Sequence, residues 1–406
     1  MKAIDVLSNI TKEISLSNEE TKKLNKKAKE LISKLKKTGL KAEIGGSLAK
    51  ETIIKKNNQD IDIFVTLDKE KISKFESLIK KTKLPFETIH GSRDYIKLNL
   101  DNITFELIPV MKFKKPEDAD NVTDFSLIHV KYIKKQISKN KKLANEIKLA
   151  KAFCYAQECY GAESYIGGFS GYALEVLICY YKSFMNLAKN IQNDKIIDPE
   201  KQFKNKNEIM RELNQSKLQS PVILIDPTYK YRNVCAGLTQ ETFNLFIQSI
   251  QEFLKNPSED FFKKKEFNLE DFKQKAQNEK LTIYKLDIKT DRQEGDIAGT
   301  KMKKFFKFII KELKRKKQEV IYSHFKYRDG QESQAFLAIT EKPEIEIIGP
   351  KTDMEKAIKE FKKVRKQTYV SKGFVCAKEQ VSIEQIFQKQ TFQAESMGVG
   401  FDWMKI

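Results

Sequence analysis

Two aspartates, Asp60 and Asp62, stand two residues apart inside the apolar stretch "DIDIFVTL". Side chains at i and i+2 of a strand point to one face, so these carboxylates would lie side by side. Held that close they repel, unless a cation sits between them. Magnesium takes oxygen ligands and commonly shares them with phosphates. A third acid, Glu106, lies between apolar neighbours in "TFELIPV". Three acids on adjacent strands can hold two ions about 3.5–4 Å apart, a clamp for attacking and leaving oxygens. Upstream, "GGSLAK" places a glycine turn before a short helix. Gly46 and Ser47 would offer N–H groups and a hydroxyl to the distal phosphates of a nucleotide, with Lys50 one turn on. Each signal has a plainer reading alone: a DxD pair is commonly a solvated strand edge, and GS before a helix a turn with its cap. Their order and spacing together predict metal-assisted phosphoryl transfer, with Asp60, Asp62 and Glu106 as the metal-binding, catalytic carboxylates.

The elements that must position these residues can be read in outline. Residues 18–38 show Leu24, Ala28, Leu31, Ile32 and Leu35 on one helical face, with Gly39 as the stop. "DIDIFVTL", "YIKLNL" and "ITFELIPV" read as strands, the last two joined by a turn at Asp101-Asn102. From about Asn140 the pattern becomes helical: "ANEIKLAKAFCYAQECYG", "SGYALEVLICYYKSFMNLAKNI" and "TQETFNLFIQSIQEFLKN", the last with Thr239 as N-cap. The remainder mixes again. An amphipathic basic helix, "GTKMKKFFKFIIKELKRKKQ", precedes the strands "EVIYSHF", "QAFLAIT" and "EIEIIG". "TDMEKAIKEFKKVRK" then reads as a helix capped by Thr352. The division predicted is 1–140, 141–256 and 257–406, an α+β multidomain chain.

The 406 residues carry 76 basic and 56 acidic side chains, a net charge of +20. That excess favours a polyanionic partner, although a lysine-rich proteome produces the same figure. No apolar run reaches the length of a membrane span. The N-terminus lacks the apolar core of a signal peptide. Five scattered cysteines, with no CxxC pair, suit a reducing cytosol. The expectation is a cytoplasmic protein with no membrane partner.

The order GS, DxD, then a third acid on a later strand resembles the nucleotidyltransferase superfamily that includes DNA polymerase β. Further segments narrow the resemblance: "DFSLIHVKYI", "IKLAKAFCYAQECYGAE", "GGFSGYALEVLICYYKSF" and "LIDPTYKYRNVCAGL". They follow in the order found in archaeal, class I CCA-adding enzymes, the tRNA nucleotidyltransferases. "EIEIIGP" followed by an amphipathic helix is similar to that family's C-terminal region, so the resemblance covers nearly the whole chain.

The resemblance implies a polymerase β-like nucleotidyltransferase palm over 1–140, a helical central domain over 141–256, and an α/β tRNA-binding region over 257–406. It implies template-independent addition of C, C and A to the 3′ end of tRNA, from CTP and ATP, with two Mg2+ ions and release of pyrophosphate. Asp60, Asp62 and Glu106 match the metal carboxylates, Gly46 and Ser47 the phosphate-binding turn, and Lys50 a position usually basic. Ser126, His129, Lys151 and Tyr160 match residues contacting the sugar and triphosphate. Arg232 matches the arginine that reads the incoming base. Two departures stand out: the third acid is Glu106 rather than aspartate, and Gly167 stands where many relatives have arginine.

The implied partner is the acceptor stem and top half of tRNA, with a homodimer as a candidate assembly. Two basic clusters would grip its backbone: Lys311, Lys314, Arg315, Lys316 and Lys317, and Lys362, Lys363, Arg365 and Lys366. Solvated helix faces are the plain reading of such clusters. The rival readings are a poly(A) polymerase or A-adding nucleotidyltransferase, and a non-catalytic RNA-binding protein.

Overall fold

A computed structural model describes the chain except Met1, Asn57, Ser92, Arg328, Asp329 and Lys366. Lys366, expected in the second basic cluster, therefore lies outside the described residues. The chain divides into two compact units, Met1–Lys265 and Glu266–Ile406.

The first unit is built around a five-stranded sheet in the order β1-β2-β5-β4-β3. The strands are β1 (Lys41–Ile44), β2 (Gln59–Leu67), β3 (Glu87–Ile89), β4 (Tyr95–Leu100) and β5 (Ile103–Met111). β2 and β5 run parallel at its centre, and their flanking pairs are antiparallel. The expected strands all form, while β1 and β3 are additions too short to show an alternation. Asp101 and Asn102 both take positive φ, 53° and 60°. Two such residues in succession make the primed hairpin turn that suits a sheet's twist.

The Asn18–Lys37 helix forms where the apolar face predicts it. Leu24, Ala28, Leu31 and Leu35 are buried against Ile61, Ile63, Phe105 and Leu107 of the sheet. Ile32 is only partly buried there. Ser17 and Glu20 close a reciprocal cap, Glu20 N donating to Ser17 Oγ at 3.0 Å and Ser17 N to Glu20 Oε2 at 2.7 Å.

The opposite part of this unit is a helical core. The helices Ala3–Ile14, Ser126–Lys139, Lys142–Ala156, Gly171–Tyr181, Phe184–Asn190 and Gln240–Lys255 bury Ile10, Ile133, Phe153, Leu174, Phe184 and Phe246 in one cluster. Thr239 caps the last of these, accepting from Thr242 N. One part of the region read as helical is extended instead. Ile223–Asp226 and Tyr229–Asn233 form an antiparallel pair, because "DPT" turns the chain after Asp226. The Asp226 carboxylate accepts from Thr228 N at 2.8 Å, the local bond of an Asx turn.

The second unit has a four-stranded antiparallel sheet. It runs from Glu319–Tyr327 through Glu332–Thr340 and Thr282–Lys289 to Gly400–Lys405. The Gly295–Arg315 helix buries Met302, Phe305, Ile309 and Leu313 in the core of this unit, at the spacing of a helical face. A second sheet of three strands, Glu344–Lys351, Phe374–Gln380 and Thr368–Ser371, accompanies the Glu355–Val364 helix. Thr352 is not the cap of that helix. Met354 occupies the cap position without a side-chain bond, and Thr352 N instead donates to Gly373 O at 3.1 Å.

Candidate active site

The parallel register sets Asp62 beside Glu106, and Asp60 beside Thr104. Alternation sends Ile61 and Ile63 into the core and turns Asp60 and Asp62 to the other face. On β4, Lys97 is the partner of Glu106. Burial, then the charges of Asp62 and Asp60, push the Glu106 carboxyl up to about 7. Burial also raises the Asp62 carboxyl, with Asp60 adding to it and Lys50 and Lys151 opposing.

Three acids thus share one face, yet among the described residues no three histidine, cysteine, aspartate or glutamate side chains gather as a metal cage. The charges explain the spread. Asp60, whose side chain is 51% exposed, leans to Lys56 Nζ at 3.8 Å. Asp62 lies against the glycine turn. The donor set nevertheless fits a hard cation: it is all oxygen and on one face, and the buried Asp62 and Glu106 carboxyls are both raised for want of countercharge.

The double glycine is explained by contact. Gly45 N donates to Asp62 O at 2.8 Å. Gly46 has φ +52°, and a Cβ there would stand 1.5 Å from Asp62 Oδ2. Gly46 opens a four-residue helix, Gly46–Ala49, and Ser47 faces a cavity of about 180 Å³. Asp60, Asp62, Thr52, Lys151, Tyr155 and Tyr160 share that lining.

Lys50 and Lys151 both come to the site, but not in the same way. Lys151 lies on the cavity wall; Lys50 is not among its lining residues. Both ammonium groups are 2.7 Å from the carboxylate of Glu175, which is fully buried. Burial works against the Glu175 charge, and Lys151 and Lys50 more than offset it, holding that carboxyl down at about 2. Sequence reading missed Glu175, although it gave the same signal as Glu106: one acid in an apolar run, "GYALEVLICYY".

A second group forms around Asp226, also missed. Its Oδ2 contacts His129 Nε2 at 3.1 Å and Arg232 Nη1 at 2.7 Å, and its Oδ1 accepts from Tyr172 Oη at 3.1 Å. The His129 and Tyr172 rings stack with centroids 3.8 Å apart. His129 Nε2 is also 3.1 Å from Arg232 Nη1. A protonated Nε2 donates to Asp226 and so cannot accept from the guanidinium; Asp226 serves both. Burial pushes the His129 imidazole below its ordinary range despite Asp226, leaving it neutral at neutral pH. Ser126 opens the same helix, one turn ahead of His129. The structure therefore brings His129 and Arg232 together on Asp226, with Ser126 one helical turn from His129, and sets Gly46, Ser47, Lys151 and Tyr160 around Asp60 and Asp62.

At Gly167 the backbone has φ +65°, and a Cβ would meet Thr239 Cγ2 at 2.5 Å. Thr239 N donates to Gly167 O at 2.8 Å. An arginine here would be strained at this φ and would have to turn the Thr239 side chain, which caps the Gln240–Lys255 helix.

A central parallel pair with paired acids, a glycine turn packed on one acid, and a lysine lining the same cavity define a nucleotidyltransferase. Solved structures with the same fold include a cytoplasmic RNA terminal U-transferase (TM-score 0.50, 14% identity, covering 65% of this chain and 98% of that one). Cid1, an RNA terminal uridylyl transferase, is similar at TM-score 0.51 and 13% identity, covering 65% and 98%. The profile of a tRNA nucleotidyltransferase second domain matches residues 145–263. The CCA-adding enzyme of Nanoarchaeum equitans is 36% identical over 285 residues, 68% of each chain. That of Methanocaldococcus jannaschii is 32% identical over 333 residues, 76% of this chain and 71% of its own. That of Methanococcus maripaludis is 28% identical over 401 residues, 92% and 87%. This chain belongs to the family of archaeal CCA-adding enzymes.

Proposed function

We propose that this protein adds C, C and A to the 3′ end of tRNA from CTP and ATP, without a nucleic acid template. The observation that carries the reading is the Asp62–Glu106 pair beside the Gly46 turn, in a chain of this family. The 3′-oxygen of the RNA forms a bond to the α-phosphorus, the bond from that phosphorus to the bridging oxygen breaks, and pyrophosphate leaves. The hydroxyl proton passes to solvent. Asp60, Asp62 and Glu106 would hold Mg2+, which when bound acidifies a hydroxyl and stabilises a leaving phosphate oxygen.

The chain's own residues bind and orient. Ser47 and Lys151 line the cavity wall and take the triphosphate; Tyr160 beside them takes the sugar. His129, being neutral, gives this region a hydrogen-bonding ring rather than a charge, so Lys151 carries the offset of phosphate charge. The Arg232 guanidinium is held by Asp226, yet 23% of its side chain is exposed. A fixed fork with free N–H groups is the donor a base edge needs. Cytosine and adenine both place an amino donor beside a ring-nitrogen acceptor; uracil and guanine reverse the pair.

In the same reading, residues 1–140 form the palm, 141–256 the central domain, and 257–406 grip the acceptor stem and top half of tRNA. Of the expected basic cluster, Arg315 pairs with Glu312 at 2.7 Å and Lys316 with Glu379 at 2.8 Å. Lys317 donates to Glu346 O. This internal pairing shifts the proposed phosphate contacts toward Lys311 and Lys314.

The deciding experiment is extension of tRNA lacking its 3′ end, with each triphosphate alone and then CTP and ATP together. Addition that stops at CCA is the expected result. Adenylate runs would instead identify a poly(A) polymerase, and no extension a binding protein.

A further inference from the structure

Lys151, which takes the triphosphate, is itself held by three residues with no role so far, Glu175, Lys50 and Thr52. Glu175 sits on the Gly171–Tyr181 helix among buried Leu174, Val176, Leu177 and Ile178. Its Oε1 accepts from Lys151 Nζ at 2.7 Å and Thr52 Oγ1 at 3.2 Å, and its Oε2 from Lys50 Nζ at 2.7 Å. Lys151 Nζ also donates to Thr52 Oγ1 at 3.0 Å. Of these four residues, Lys151 and Thr52 line the cavity. Packing alone does not ask for such a group, because a buried ion cluster is commonly no more stabilising than apolar side chains of its volume. Two ammonium groups and one carboxylate leave one positive charge in surplus, and of the two lysines it is Lys151 that lines the cavity.

We propose that Glu175 is a positioning residue for nucleotidyl transfer, which with Lys50 and Thr52 fixes the Lys151 ammonium on the cavity wall to receive the triphosphate. The inference rests on the reading of this cavity as the triphosphate site. An ammonium on a four-carbon stem turns freely, so its direction must be imposed from outside. Glu175 Oε1 and Thr52 Oγ1 occupy two of its three N–H bonds and leave the third for a phosphate oxygen. Without Glu175, Lys50 and Lys151 would stand buried as like charges, and Asp62 is the carboxylate whose charge already acts on both. Lys151 would then be drawn to Asp62 and cancel a charge that the metal requires. Glu175 thus keeps the phosphate-binding cation and the metal-binding anions apart.

The test is calorimetric binding of inorganic tripolyphosphate to the full chain, with thermal melts and with KM for CTP and ATP. Lys151→Met, Glu175→Gln and Thr52→Val are compared with wild type. Lys151→Met should bind weakly. Glu175→Gln, nearly the same shape, should lose at least about tenfold in affinity, the usual scale for a charged hydrogen bond. KM for both triphosphates should rise in step, and tRNA affinity should hold. Thr52→Val should lose a few-fold, and it decides the matter alone if Glu175→Gln does not fold. Wild-type binding by Lys151→Met would overturn the triphosphate reading itself. Loss in Lys151→Met with wild-type binding in Glu175→Gln, or in Thr52→Val where Glu175→Gln does not fold, would overturn the positioning role. Tighter binding by Glu175→Gln would make Glu175 a competitor of the phosphates and overturn it equally.

Discussion

His129 and Arg232 share one oxygen of one carboxylate: Asp226 Oδ2 lies 3.1 Å from the imidazole and 2.7 Å from the guanidinium. Each ring or fork is therefore aimed by the same buried acid. Arg232→Ala should relax the choice of base, costing about 1–3 kcal/mol of discrimination, roughly ten- to a hundredfold in the C-to-U ratio. Single-nucleotide addition of all four triphosphates measures it. A phosphate contact would weaken every triphosphate alike, so an unchanged C-to-U ratio would remove Arg232 from base reading. Asp226→Asn should move selectivity in the same direction. It should also lower stability by about 3–5 kcal/mol, because it breaks a buried ion pair on one side.

The contact between Gly46 and Asp62 gives a second expectation. Gly46→Ala must displace the carboxylate that a Cβ would overlap. Both it and Asp62→Ala should lower addition of C and of A by at least roughly a hundredfold, the scale of losing one preorganised charge stabiliser. Affinity for tRNA should stay within a few-fold. Normal rates with magnesium in Asp62→Ala would show that the metal site is misassigned.

Acid should remove two contributions to the stability of the first unit, one from His129 and one from Glu175. The His129 imidazole titrates below its ordinary 6.5 in the folded chain, so the unfolded chain binds the proton first. Its contribution is complete above about 6.5 and is lost as pH falls toward the folded value. Glu175 is held at about 2 against an ordinary 4.5. Its contribution is complete above 4.5 and is lost as pH falls toward 2, at most about 3 kcal/mol. Urea unfolding between about pH 8 and pH 3 reads both limbs. Glu175→Gln should flatten the lower one. Glu106, raised to about 7, acts in the opposite direction between about pH 7 and 4.5, so the comparison is between wild type and Glu175→Gln. A stability difference between the two that stays constant from about pH 6 to about pH 3 would contradict the Glu175 assignment.

RNA affinity should fall steeply with salt, since each neutralised phosphate releases counterions. Lys311→Gln with Lys314→Gln should reduce the slope of log affinity against log salt by about 0.7–0.9 for each phosphate lost. Arg315→Gln should change it less, because Glu312 already occupies that guanidinium. Equal slopes in all three proteins would move the RNA contact elsewhere.

The central strands were legible because their chemistry is local. β2 and β5 alternate isoleucine, phenylalanine and leucine with acids, and "YIKLNL" is followed by a turn dipeptide. Asp60, Asp62 and Glu106 could therefore be placed on one face before the register was known. β1 was not legible, since "KAEI" is four residues long and half exposed. The Tyr229–Asn233 strand hid among helices because its pairing partner, Ile223–Asp226, is as apolar as a buried helix turn. Glu175 and Asp226 show what escapes sequence reading altogether. Each acquires its meaning from partners up to 125 residues away, Lys50 for one and His129 for the other. No spacing along the chain encodes those distances.

The hairpin at Asp101-Asn102 carries no reactive group, yet it sets the parity of β5. With two turn residues, Leu100 pairs with Ile103, and Glu106 falls beside Asp62 while Leu107 faces the core. A single residue inserted there and absorbed by sliding β5 would move each residue on by one place, putting Phe105 beside Asp62 and Glu106 in the place of Leu107, in the hydrophobic interior. The enzyme's tolerance of length change is thus uneven in a way that chemistry alone would not suggest. A loop that carries none of the proposed site residues should be as intolerant of insertion as the proposed metal-binding acids are of replacement.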